Sequence, residues 1–582
     1  MLVYGDREEV IDPRRWARNI DRQLRQLETM TAGIDRHSRV VAALVDAGRL
    51  LQGIADHDFA DRQSDRRSAC SEELGAFMLE LARAVWRSWQ SGFRTTGDLP
   101  RLTARAQWPA ALETRVPEGF AFYAVYPEAY AQAARRLNLS APPRVIGIRS
   151  IGTSLAAIVA AALGAPTPIT LRPHGDPSAR RVSIDPALAR ELLDGDVHYI
   201  IVDEGPGQSG SSFAAVAECL KARGVAPDRI AVMPSHGGPP GASAPEERRR
   251  WWRQTQRETG DFGERWPELI GRWVETSIGP LNDPPRDMSV GIWRSLRHPL
   301  KRDWPAAVPA WERRKYLVSA SGEQFLVKFA GLGAVGEEKL KIARVLHSEG
   351  FVPEALGTVH GFLVERWCGD ASPLAANERP VGEIARYLGT RAKLLPARTD
   401  SGASIDALLV MIRRNVSLEL GDAYTSTLNA WKERTADLQR QVVRVRTDNK
   451  LDRHEWLRSA SGALIKTDAL DHHCAHDLVG CQDLAWDCAG AIVEFDMDQN
   501  ERRQFVAAAE YWAGRAIDLD LLHFCRIAYL AFRLGQARFG ETTVSDSSEL
   551  RRLRIQGDRY AVELQHLLES TGTATRHESS VG

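Results

Sequence analysis

Cysteine is scarce in this chain: seven in 582 residues, an odd number, which excludes a disulfide framework and fits a reducing compartment. Net charge is lacking as well. Lys plus Arg and Asp plus Glu stand at 76 each, so no overall field draws nucleic acid or an anionic membrane without sequence preference. No run approaches the roughly 20 apolar residues of a membrane helix, and the opening MLVYGDREEVIDPRRW lacks the apolar core of a signal peptide. Internal repeats are missing too. The expectation is a cytoplasmic protein that acts on small-molecule substrates, with no membrane and no general nucleic-acid partner; oligomeric state is left open.

What is present is an ordinary globular composition, 43% hydrophobic and 26% charged, in a chain too long for one core at about 100–200 residues per domain. Residues 1–112 read as helical, with Leu74, Met78, Leu81, Ala82 and Val85 at helical spacing. From 113 to 240 short apolar runs (RVIGI, VHYIIVDE, RIAVMPS) alternate with helices, the pattern of a parallel sheet covered on both faces. Residues 241–308, rich in Gly, Pro, Arg and Trp, read as a connector. From 309 to 570 a hairpin, KYLVSASGEQFLVKF, leads into a mostly helical unit, and 571–582 read as a disordered tail. The fold class is α/β multidomain.

The first candidate site is the run YIIVDEGPGQSGSSFAAVAECL: a strand, then Asp203 and Glu204, a Gly/Ser loop and a helix. Backbone N–H groups from Gly207 to Ser212 at a helix start make an anion cradle. Gly207 and Gly210 allow close approach, and the hydroxyls of Ser209, Ser211 and Ser212 add donors. Two carboxylates at the strand end suit vicinal ribose hydroxyls, directly or through Mg²⁺. Gly205 to Ser212 is one residue from a Walker loop, but Ser211 replaces its Lys. A bare strand-to-helix turn is the plain alternative.

This run, preceded by RVIGI and the loop Arg149, Ser150, Ile151, Gly152, Thr153 and Ser154, resembles the type I phosphoribosyltransferases over about 115–240. The resemblance implies a site for phosphoribosyl diphosphate or a related ribose phosphate, with Arg149, Ser150, Gly152 and Thr153 in its diphosphate loop. Here the second acid is Glu, and Gly207 or Gln208 stands where many members carry an acid.

The second candidate site begins at QFLVKFAGLGAVGEEKLKIARVLHSEG, with a G-x-G-x-x-G at Gly331, Gly333 and Gly336. By itself that pattern implies a dinucleotide. Lys328 in the preceding strand and the hairpin before it argue against a buried parallel strand. They favour a kinase-type lobe in which Lys328 faces nucleotide phosphates and Glu338 (or Glu337) pairs with it; the strand GFLVERW then resembles the hinge that receives adenine in that fold.

Downstream, VRVRTDNKLDRHEWL and ALIKTDALDHH resemble the catalytic and metal loops of aminoglycoside-phosphotransferase-like kinases. The resemblance spans about 309–560 and implies a bilobal α+β kinase-like domain using ATP and Mg²⁺. Asp448 takes the place of the catalytic base, and His454 and Asp468 the metal positions; Asp483 and Asp487 in CQDLAWDCAG take bracing positions. Cys474, Cys481 and Cys488 beside His472, His473 and His476 match no common zinc spacing and read as buried thiols.

Together these readings give a fused transferase: a ribose-phosphate-handling domain and a domain that moves the ATP γ-phosphoryl group to a hydroxyl. A nucleotide-sensing regulatory or stress-response protein without turnover is the alternative, and an NAD-dependent dehydrogenase is a distant third.

Overall fold

The computed structural model describes residues 7–105, 107–241, 243–474 and 479–578. Helix Pro13–Glu28 starts at Asp12, whose carboxylate accepts the N–H groups of Arg14 and Arg15, with Pro13 in the first turn. Helices Ile34–Arg62 and Ala69–Gln90 follow, the second opened by a capping box at Ser68. Both pack on helix Ile151–Leu163. The N-terminal helices therefore cover a sheet and do not stand apart from it.

That sheet is parallel throughout. Its order is Ile169–Leu171, Pro143–Ile148, His198–Val202, Ile230–Met233, Gln256–Arg257. Strand His198–Val202 is buried along its whole length, which is why its sequence is a continuous apolar run. Strand order reverses between Pro143–Ile148 and His198–Val202. In open parallel sheets such a switch point leaves a crevice at the strands' carboxyl ends.

A second, antiparallel sheet has the order Ala355–Val359, Phe362–Arg366, Glu323–Phe329, Lys315–Ala320, Arg286–Asp287. Its central hairpin turns through Ser321 and Gly322, both at positive φ (54° and 82°), the backbone a two-residue hairpin needs. The stretch 241–308 is divided between the two sheets: Gln256–Arg257 closes the parallel one and Arg286–Asp287 the antiparallel one. Helix Trp266–Ile278 between them buries Trp266 and Trp273.

One core cluster runs from Ile11 through Leu44, Leu155 and Val202 to Val327, Phe329 and Phe362. One face of the parallel sheet and the antiparallel sheet thus share an apolar interior, while Ile146, Ile201, Phe213 and Trp252 belong to a separate cluster on the parallel sheet's other face. A second cluster fills the helical remainder, among helices Val381–Leu394, Ile405–Leu420, Leu484–Glu494 and Leu519–Thr543. Helix Ser547–Glu578 carries the backbone into the stretch expected to be a disordered tail, and 579–582 lie outside the described residues. No helix among the described residues is long and apolar enough to cross a membrane.

Candidate functional site

The glycine pattern at 331–336 lies at the contact between the halves. Leu332 N–H donates to the Phe120 carbonyl at 2.9 Å, and a Cβ on Gly333 would stand 3.0 Å from that of Ala42. Gly331 has φ +117°, and a Cβ on Gly336 would reach the Gly331 carbonyl oxygen at 2.3 Å. These glycines serve a tight turn and close packing. Strand Glu323–Phe329 is antiparallel to both neighbours, so the entry strand of a dinucleotide fold is not what precedes them.

Lys328 and Leu326 project from that strand into a cavity of about 270 Å³, which is also lined by Glu365, Trp367, His454, Asp468 and His472. Lys328 pairs with Asp468 and lies 3.9 Å from Asp471. Burial disfavours its charge, but Asp468 and Asp471 outweigh that and raise its pKa. Asp468 is 39% exposed and takes a left-handed backbone, φ 49°. Burial works to raise its pKa; Lys328 and His472 overcome that and hold it well below the usual range.

Asp448 sits one layer deeper. It has no exposed surface and is not on the cavity wall. Tyr387 OH donates to its Oδ2 at 2.5 Å, while Lys466 Nζ and His472 Nδ1 lie 3.4 and 3.1 Å from Oδ1. Asp487 braces the loop: its carboxylate accepts the N–H groups of Asp448 (2.8 Å) and Asn449 (2.9 Å). Asp483 caps helix Leu484–Glu494 and accepts the Val443 N–H.

Asp448, expected as the catalytic base, lies behind the cavity wall in this structure, with Lys466 and His472 beside its Oδ1. His472, whose significance the sequence did not reveal, bridges the two carboxylates, with Nε2 3.4 Å from Asp468 Oδ2. Burial would lower its pKa, but Asp468 and the hydrogen bond to Asp448 raise it to about 9. Asn449 Nδ2 donates to the His472 carbonyl at 3.0 Å and fixes its backbone.

Two other expectations change. Glu338 does not meet Lys328; it pairs with Arg446. The buried face of helix Ala334–Ser348 runs through Gly336, Lys339, Ile342 and Leu346, and Lys339 faces inward, 3.6 Å from Asp471. In place of Glu338, Glu365 neighbours Lys328, its pKa pushed up to about 7 by burial against the opposing pull of Lys328. His454 lines the cavity with its ring stacked on Trp293, centroids 5.7 Å apart, and imidazole suits Mg²⁺ poorly.

No protein-family model and no curated protein matches the chain. About half of it is similar to solved kinase structures. Choline kinase LicA from Streptococcus pneumoniae is 19% identical, over 44% of this chain and 89% of that one, with a TM-score of 0.33. A choline/ethanolamine kinase family protein from Mesorhizobium loti is 14% identical over 44% and 85%, TM-score 0.33. Spectinomycin phosphotransferase APH(9)-Ia, in complex with ADP and spectinomycin, is 12% identical over 52% and 98%, TM-score 0.30.

In the parallel-sheet half, the loops Arg149–Thr153 and Asp203–Ser212 leave the two strands that flank the switch point. Glu204 Oε2 accepts the Gly119 N–H at 3.1 Å, and a Cβ on Gly119 would crowd that carboxylate at 2.7 Å. Tyr130 OH donates to the Asp203 carbonyl at 2.8 Å. Gly207 and Gly210 have φ 59° and 66°. Ser209 and Ser211 hydroxyls both donate to the Pro177 carbonyl, at 2.8 and 2.7 Å, and Ser212 Oγ accepts from Arg180 at 2.9 Å. Arg180, which the sequence did not single out, also feels the charge of Asp203.

Gly152 lets its helix touch the next strand: a Cβ there would lie 2.6 Å from the Val202 carbonyl oxygen. Ser150 holds φ 113°, and Thr153 Oγ1 is buried without a hydrogen-bond partner. Arg149 turns away from the loop. Its guanidinium is 2% exposed, binding Asp56 at 2.7 Å and also Asp65, so it ties helix Ile34–Arg62 and the segment after it to the sheet. The thiols of Cys474, Cys481 and Cys488 join no ion-sized cluster among the described residues; His476 lies outside them.

Proposed function

We propose that the second half moves the γ-phosphoryl group of ATP to a hydroxyl acceptor and that the first half binds a ribose phosphate. The observation that carries the first part is the meeting of Lys328, Asp468 and His472 at one cavity between the antiparallel sheet and the helical body. Phosphoryl transfer asks the protein chiefly for positioning and for positive charge around the phosphates. Lys328 and the protonated ring of His472 supply that charge. Asp448 acts through His472 as a positioning residue, and Asp487 keeps its loop in place.

Mg²⁺ suits this donor set through the half-open carboxylate of Asp468, since the ion binds through one or two carboxylates and retains water and phosphate ligands; Asp471 is engaged by Arg313 and Lys339. When bound there, Mg²⁺ would neutralise phosphate charge. Incubation with Mg²⁺-ATP and hydroxyl-bearing small molecules that copurify with the protein tests this function. ADP release with a phosphorylated product supports it.

The enclosure of Asp448 favours one other reading, a nucleotide sensor without turnover. ATP binding with no product under the same conditions would select it. For the first half, support comes from the two loops converging at the switch point of the parallel sheet.

A further inference from the structure

A second cluster of ligating side chains lies far from this chemistry in sequence and joins three parts of the chain. His37 comes from the first turn of helix Ile34–Arg62, Glu128 from the first turn of helix Pro127–Ala134, and His360 from the turn between strands Ala355–Val359 and Phe362–Arg366. His37 Nε2 lies 2.7 Å from Glu128 Oε1, and His360 Nε2 lies 3.1 Å from the same oxygen. All three side chains are 0% exposed. Phe93, Tyr126 and Trp273 enclose the imidazoles, with ring centroids 4.7–4.9 Å away.

Hydrogen bonding alone leaves this cluster incomplete. Glu128 Oε2 and His360 Nδ1 are buried without a hydrogen-bond partner, and His360 Nε2 faces only Glu128 Oε1, outside good hydrogen-bond geometry; an unsatisfied buried polar atom costs about 1–3 kcal/mol. The ion-pair partners of Glu128 are the two imidazoles. Its backbone setting is also specific: His360 takes φ 45° and Gly361 φ 86°, and the His360 carbonyl accepts from Tyr126 OH at 2.5 Å.

We propose that His37, Glu128 and His360 form a structural site for a zinc-like divalent transition metal that clamps the first half to the antiparallel sheet. Two imidazole nitrogens and a bidentate carboxylate provide four donor atoms of the kind Zn²⁺ accepts, and the three ligating groups already have donor atoms within 4.8 Å of one another. This set engages Glu128 Oε2, which has no other partner, and the His360 Nε2 that faces Glu128 Oε1. Ser88 Oγ lies 2.9 Å from His37 Nδ1, the partner that fixes a ligating ring from behind. The three side chains are fully enclosed, so the role is structural.

The test uses the full chain. Metal analysis of the purified protein is expected to show stoichiometric zinc, or stoichiometric uptake after chelation, with a melting temperature that falls on chelation and returns with Zn²⁺. Co²⁺ in its place should give visible d–d bands typical of low coordination. Glu128→Gln and His37→Gln should lose the metal and the bands. Ser88→Ala, a milder change, should weaken zinc affinity on the order of 10–100-fold. Protein that neither carries nor takes up zinc or cobalt, with a melting temperature indifferent to chelator, overturns the proposal even if the variants fail to fold. So does zinc retained at parental affinity in Glu128→Gln, which would place the ion elsewhere.

Discussion

The ring of His472 covers the carboxylate of Asp448, Nδ1 standing 3.1 Å from Oδ1 of a residue with no exposed surface. What meets the cavity is therefore the imidazole, with the acid behind it. Asp448→Asn keeps the shape and removes one of the two carboxylates beside each of His472 and Lys466, which retain Asp468 and Glu455. ATP affinity should stay within several-fold, while phosphotransfer falls on the order of 10²-fold through misplacement of the His472 ring. Removing one partner of a buried pair also costs about 3–5 kcal/mol, so the melting temperature should drop. Calorimetry, a product assay and a melting curve on the one variant separate these effects.

The raised pKa of His472 sets a pH window. Its folded value is about 9 against an ordinary 6.5, a difference on the order of 3 kcal/mol. Because the folded value is the higher, this stability is fully present below about 6.5 and is lost as pH rises through 9. Denaturant unfolding from pH 6 to 10 should show that slope in the parent, and His472→Gln should flatten it.

Arg149→Met should act on stability and not through phosphate recognition. It leaves Asp65, 1% exposed, without its ion pair, while Asp56 retains Arg172. A loss of about 3–5 kcal/mol is expected, readable as a lower denaturation midpoint with or without a ribose phosphate.

These sites differ in how much of them the sequence carries. The parallel strands show because burial on both faces writes an apolar run, and the hairpin shows because its turn needs Ser321-Gly322 at positive φ. Lys328 stands out as a charge in an apolar strand, and Asp483 and Asp487 lie in one short run, CQDLAWDCAG, whose resemblance is local enough to read. Partners set by tertiary packing leave no such trace. Arg149 meets acids 93 and 84 positions away, and the phase of helix Ala334–Ser348 turns Glu338 toward Arg446. His472 sits in a His/Cys-rich run that matches no common zinc spacing, and only the fold shows it between two aspartates. The two-residue strands Gln256–Arg257 and Arg286–Asp287 are too short to produce a period.

The crevice of the parallel sheet should respond to its proposed ligand. Phosphoribosyl diphosphate with Mg²⁺ is expected to raise the melting temperature, and Asp203→Asn with Glu204→Gln together should abolish the rise. The Ser209 and Ser211 hydroxyls would have to leave the Pro177 carbonyl to reach a phosphate. Ser211→Ala should then weaken the response without removing it. An undiminished shift in the double variant would remove the acidic pair from the site.

Lys328 and Asp468, 140 positions apart, are proposed to face one nucleotide and its metal. Titration calorimetry of Mg²⁺-ATP into the parent, Lys328→Met and Asp468→Asn decides this. Saturable, Mg²⁺-dependent binding is expected in the parent, with weaker binding in Lys328→Met and loss of the Mg²⁺ dependence in Asp468→Asn. Equal affinity and equal Mg²⁺ dependence in all three proteins would contradict it.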